Sequence, residues 1–187
     1  MTLGVSALLG AGCIFSPKKA PPGVIVPPPP PVYPQLSYPD RVLDALQIAY
    51  SHKDTTFTKT IYDSTYIGFS EDLSDPKAPP PISTTYDSEI AHVAALARAP
   101  TISDVSMNLG PSTTWTRLTS DDISHPEWAV IQITSTFVRI SVTDGPDTYL
   151  VTGDAEFLEF KFVPTLDSTS QSDTLWKIIR WKETKSP

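Results

Sequence analysis

The chain has 187 residues, 14 basic and 21 acidic, for a net charge of −7, and its 40% apolar content is enough to fill the core of one ordinary domain. Every acidic residue lies from Asp40 onward, where 21 acids face 12 bases (−9), so nothing here resembles the clustered Lys and Arg that bind nucleic acid; the acidity reads as a solubility feature. A single cysteine, Cys13, rules out an internal disulfide or a multi-cysteine metal site, and His52, His92 and His125 are far apart, so neither a metal nor a cofactor is expected.

Thr2 to Gly12 is a run of small and apolar residues too short to cross a bilayer, which takes about 20 helical residues, but of the length of a signal-peptide apolar region. It ends in Leu9-Gly10-Ala11-Gly12-Cys13, which resembles the lipobox of bacterial lipoproteins. That resemblance implies cleavage before Cys13, acyl chains on its sulfur and usually its amine, and attachment to a membrane of the bacterial envelope. Ile14 rather than Asp follows the cysteine, which implies the outer membrane over the inner one where there are two. The alternative is a small buried cysteine in an ordinary helix.

Ten of the 20 prolines lie between Pro17 and Pro39. Proline lacks a backbone donor, and Pro27 to Pro31 predicts polyproline II; residues 14–39 reach roughly 80 Å when fully extended. The segment reads as a stand-off arm, with an SH3-type or WW-type ligand as the alternative. The expected organisation is a signal peptide over 1–12, an anchor and linker over 13–38, a folded domain over 39–183 and a tail over 184–187.

From Asp40 periodicity takes over. Val42, Leu43, Leu46, Ala49 and Tyr50 predict an amphipathic helix entered at Pro39, and a shorter helix is expected over 55–62 with Phe57 and Ile61 on one face. "STYIGFS" predicts a strand, and the proline-rich 71–84 a long loop. "YDSEIAHVAALARAP" predicts a third helix with Ile90, Val93, Ala94, Leu96 and Ala97 inward, its alanines making it narrow enough to lie close against a sheet.

Strands are expected over 102–109, 128–142, 148–163 and 175–182, with turns at Asp144 to Asp147 and Asp167 to Asp173. In the two long ones the apolar alternation changes phase: Ile131 and Ile133 give way to Val138, Ile140 and Val142, and Phe157 gives way to Leu158, Phe160 and Phe162. Either a β-bulge or a sheet covered on both faces accounts for this. On parity, Trp176 and Trp181 face opposite ways.

Three helices followed by a curved antiparallel sheet is an α+β layout, a cone-shaped half-barrel wrapping a helix. The opening "PDRVLDALQIAYSHKDTTFTKTIYDSTYIGF", the strand "YLVTGDAEFLEFKF" and the ending "LWKIIRWKE" resemble the nuclear transport factor 2-like superfamily, also called SnoaL-like or cystatin-like. The resemblance implies a pocket, for which Tyr50, Phe57, Tyr66, His92, Phe157 and Trp176 are the candidate lining residues. It also admits isomerase or cyclase chemistry, in which a buried carboxylate moves a carbon-bound proton. No position matches such a motif closely enough to name a catalytic residue, and Asp154 and Glu156 point inward only if the phase is unbroken. The expected partners are a membrane through Cys13, a small apolar ligand, and a second copy across the outer sheet face.

Overall fold

A computed structural model describes residues 29–72, 80–152, 157–166 and 174–185. Cys13 and the lipobox, most of the proline arm, residues 73–79 of the 71–84 segment, Asp154, Glu156 and the Asp167 to Asp173 turn lie outside the described residues.

The expected α+β class is the one observed. Helix α1 (Pro39–Ser51) starts on a proline, whose missing N–H has no partner to lose in a first turn, and buries Val42, Leu43, Ala45, Leu46, Ala49 and Tyr50. The chain then reverses through Lys53, at φ 52°, into α2 (Thr55–Ile61), where the Asp54 carboxylate accepts the Thr56 and Phe57 amides as N-cap. Helix α3 (Tyr86–Arg98) opens with a reciprocal cap between Thr85 and Ser88. It buries only Glu89 and Val93, and Ala91, Ala95 and Ala97 are exposed, so its inward face is narrower than the apolar pattern predicts. No described helix is long and apolar enough to cross a membrane.

Among the described residues the strands are β1 (Tyr62–Asp72), β2 (Ile82–Thr85), β3 (Ile102–Asn108), β4 (Thr116–Thr119), β5 (Ala129–Thr134), β6 (Arg139–Asp144), β7 (Asp147–Thr152), β8 (Phe157–Leu166) and β9 (Thr174–Lys185). Six form one sheet in the order β2-β1-β9-β8-β5-β4, and three form another in the order β3-β6-β7. The sheet is mixed rather than wholly antiparallel, because β1 runs parallel to β9. β2 occupies the end of what the sequence reads as the long loop.

The two phase changes have a different origin from a bulge within one strand. The predicted 128–142 strand breaks at the short helical turn Ser135–Phe137 into β5 and β6, which belong to different sheets. Likewise β7 and β8 are separate strands in different sheets. The hairpin between β6 and β7 turns on Gly145, whose φ of 57° suits the first turn position, followed by Pro146.

A bulge does occur between β8 and β9, and it corrects the tryptophan parity. Phe160, Phe162 and Pro164 alternate onto one face, and their partners are Trp181, Ile178 and Trp176. The extra residue, Ile179, absorbs the odd spacing, so both tryptophans face the core.

Between helices and sheet the interior is filled by Leu43, Leu46, Ile61, Tyr62, Ile131, Ile133, Phe160, Phe162 and Ile178, each less than 2% exposed. Burying a side chain of this kind stabilises by about 1.5–3 kcal/mol. The compact unit begins at Pro31, ahead of the expected boundary at Pro39. The Tyr33 ring stacks on Phe57 at 3.5 Å, its hydroxyl donates to Asp54 at 2.8 Å, Leu36 is buried, and the Leu36 carbonyl accepts the Trp176 amide at 2.8 Å.

Candidate functional site

The most unusual chemistry lies where the C-terminal end of α1 meets the first turn of α3. Tyr50 sits on the buried face of α1, and Glu89 lies on the same face of α3 as Val93, one turn further on. The Tyr50 hydroxyl donates to Glu89 Oε1 inside the fold. Burial pushes the Glu89 carboxyl up to about 7. A carboxyl balanced near neutrality is the property a general acid or base needs, although here one oxygen is already held by a phenol.

Two further tyrosines lie on β1. Tyr62 and Tyr66 tilt against one another with ring centres 4.5 Å apart. The Tyr62 hydroxyl is buried and has no hydrogen-bond partner among the described residues, and burial raises its pKa well above the ordinary phenol value. Burial also pushes Tyr66 up to about 12, against the opposing effect of a hydrogen bond with Thr84 on β2. Tyr66 and Thr84 close over Gly68, where any Cβ would run into both side-chain oxygens. Glycine at 68 is therefore what lets these two hydroxyls meet over the strand.

Of the residues expected to line a pocket, Tyr50 and Tyr66 are buried polar members of this interior. Phe57 instead forms the shelf on which Tyr33 stacks, and Trp176 packs against the core. His92 is exposed; its ring centre is 6.5 Å from that of Tyr50, so it lies beside the pair rather than inside the fold. Phe157 opens β8, and its side chain lies outside the described part. Sequence reasoning missed Glu89. The available signal was its spacing: a carboxylate four residues before Val93, on the inward stripe of an otherwise apolar face.

The tryptophans do not form a flat stacking surface. Trp115 is buried and donates its indole N–H to the Leu109 carbonyl at 2.9 Å. Trp128 is stacked parallel to His125 at 4.3 Å, with the Arg180 guanidinium over the ring at 5.7 Å. Trp176 and Trp181 face the core.

No protein-family model matches the chain, and no curated protein sequence does. Among solved structures it is similar to an NTF2-like protein from Cytophaga hutchinsonii, at 12% identity over 77% of this chain and 92% of that one, with a TM-score of 0.45. It is similar to an NTF2-like protein with a cystatin-like fold from Novosphingobium aromaticivorans, at 9% identity over 77% of both chains, with a TM-score of 0.42. A third is an NTF2-like protein of unknown function in nutrient uptake from Rhodospirillum rubrum, at 11% identity over 78% of this chain and 96% of that one, with a TM-score of 0.41.

Proposed function

We propose that the chain is a lipid-anchored protein of the bacterial cell envelope, held off the membrane by its proline arm, whose folded part is a non-catalytic binding or structural module. The anchor rests on the order of features in the sequence: an apolar run, Cys13, then the prolines. The non-catalytic reading rests on the interior, where Tyr62, Phe160, Phe162 and their aliphatic neighbours occupy the space between helices and sheet. Acyl chains on sulfur and amine together give lasting attachment, whereas one chain gives only marginal binding. The test is the intact mass of membrane-extracted protein. It is expected to exceed that of residues 13–187 by acyl chains and to lose that excess in Cys13→Ser; an unmodified mass with Met1 retained overturns the anchor.

A second reading, a small-molecule isomerase or cyclase, draws on Glu89 alone, a buried carboxyl near neutrality beside a tyrosine. It requires deuterium exchange at a carbon next to a ligand carbonyl that disappears in Glu89→Gln. Exchange that persists in the variant sinks it.

A further inference from the structure

The face of the sheet turned away from the core sets cations beside apolar side chains. Pairing registers define two rows across this outer face. One runs Leu118, Val130, Lys161, Arg180, Ile67, and the next runs Thr116, Gln132, Glu159, Lys182, Phe69. Arg180 and Lys182 thus stand directly beside Ile67 and Phe69, two cations against two apolar side chains.

The connection between β4 and β5 folds over this face. Its shape is held by the Asp122 amide on Ser120 Oγ at 3.1 Å, the Ser124 amide on Asp122 Oδ1 at 2.9 Å, and Lys161 on Asp121 Oδ1 at 2.5 Å. What remains open between that connection and β1 is a groove of about 380 Å³, lined by the Lys161, Arg180 and Ile67 end of one row and the Glu159, Lys182 and Phe69 end of the other, with Asp121, Asp122 and Trp128 of the connection along its side. A volume of this size suits a small molecule.

The charges in the groove are unevenly matched. Lys161 bonds Asp121 and lies 3.8 Å from Glu159, which also accepts from Gln132 at 2.9 Å. Lys182 lies 4.0 Å from Glu71. Arg180 differs: its guanidinium donates to the Thr65 and Ile179 carbonyls and covers Trp128, and among the described residues no carboxylate lies within ion-pair distance of it. Those contacts fix the guanidinium in place and leave its charge, among the described residues, without a carboxylate partner. With His125 on one side of the Trp128 ring and Arg180 over it, the ring offers a wall rather than a platform for a sugar.

We propose that this outer groove binds a small amphiphile with one carboxylate, its apolar body on Ile67 and Phe69 and its carboxylate on Arg180. The inference rests on the folded part being a binding module and is independent of the lipid anchor. Preorganised Arg–carboxylate recognition beside an apolar strip discriminates by charge as well as by size.

The experiment titrates the full chain, labelled for observation of its indole N–H signals, with naphthoate, naphthylmethanol and naphthylmethylamine, the Trp128 signal being assigned by Trp128→Phe. Naphthoate is expected to shift the Trp128 signal saturably and to bind about tenfold more tightly than the amine, with the alcohol between, and Arg180→Gln should remove that preference. Equal binding of the three probes, no Trp128 shift at millimolar naphthoate, or an unchanged preference in a folded Arg180→Gln protein overturns the proposal. The ranking of the three probes is read on the unmodified chain, with Trp128→Phe used only to assign the signal. A negative result leaves the acyl-chain mass untouched, so failure of the groove and failure of the anchor are read separately.

Discussion

The Tyr50 hydroxyl at the end of α1 donates to the Glu89 carboxyl in the first turn of α3, joining positions 39 residues apart inside the core. Neither helix alone has a reason to bury a carboxyl. Together they supply a partner for it, and the polar group becomes a fastener between two helices.

That fastener sets a pH dependence. Burial raises Glu89 from 4.5 to about 7, so between those values the folded protein holds a proton that the unfolded chain has released. Its cost is absent below about pH 4.5, grows as pH rises, and is complete above about pH 7, where it reaches about 3 kcal/mol. Glu89→Gln is expected to flatten this slope and to stabilise the protein at pH 8, as read from urea unfolding at pH 5 and pH 8. A variant that keeps the wild-type slope assigns the dependence to another group.

Asp54 acts in the opposite direction. Burial alone would raise its carboxyl, but the Phe57 amide, the Tyr33 hydroxyl and the Thr56 amide outweigh it and hold the pKa below the ordinary value. The stability it contributes is therefore present above the unfolded pKa and is lost as pH falls through the folded one. Asp54→Ala should cost about 1–2 kcal/mol at neutral pH through loss of the α2 cap, and should remove this acid-side loss.

Tyr33 places the end of the proline arm within the folded unit. Tyr33→Ala is expected to cost about 1–3 kcal/mol through the lost stacking on Phe57 and the lost bond to Asp54, and Tyr33→Phe about 1 kcal/mol or less. Chemical denaturation of the full chain measures both. If Tyr33→Ala unfolds at the wild-type midpoint, the segment before Pro39 is only a tether.

Gly68→Ala should destabilise by about 1–3 kcal/mol, because the new methyl group meets Thr84 Oγ1 and the Tyr66 hydroxyl. Thr84→Ala removes the nearer obstacle, so the double variant is expected to recover part of the loss. Strict additivity in the double-mutant cycle would mean that the crowding lies elsewhere.

Trp176→Ala and Trp181→Ala are each expected to cost about 2–4 kcal/mol, since the Ile179 bulge turns both indoles toward the core. With simple parity one of them would lie on the outer face, and its loss would stay within about 0.5 kcal/mol. Thermal unfolding of the two variants distinguishes these arrangements.

Local chemistry was legible in the sequence because it depends on near neighbours. Spacing of Val42, Leu43, Leu46, Ala49 and Tyr50 defines α1, and the four-residue run from Asp144 to Asp147 a turn between strands. The three helices and the mainly β second half follow from such patterns, as does the absence of any disulfide within the chain. Pairing was not legible, because a strand's partner is chosen by contacts distant in sequence. Whether 128–142 is one strand or two, whether Trp176 and Trp181 share a face, and whether β1 runs with β9 or against it were decided when a helical turn at 135–137 and one extra residue at 179 met their neighbours. Glu89 is of the same kind: a helix pattern places a carboxylate on an inward stripe, but only the arrival of Tyr50 from another helix makes burial there tolerable.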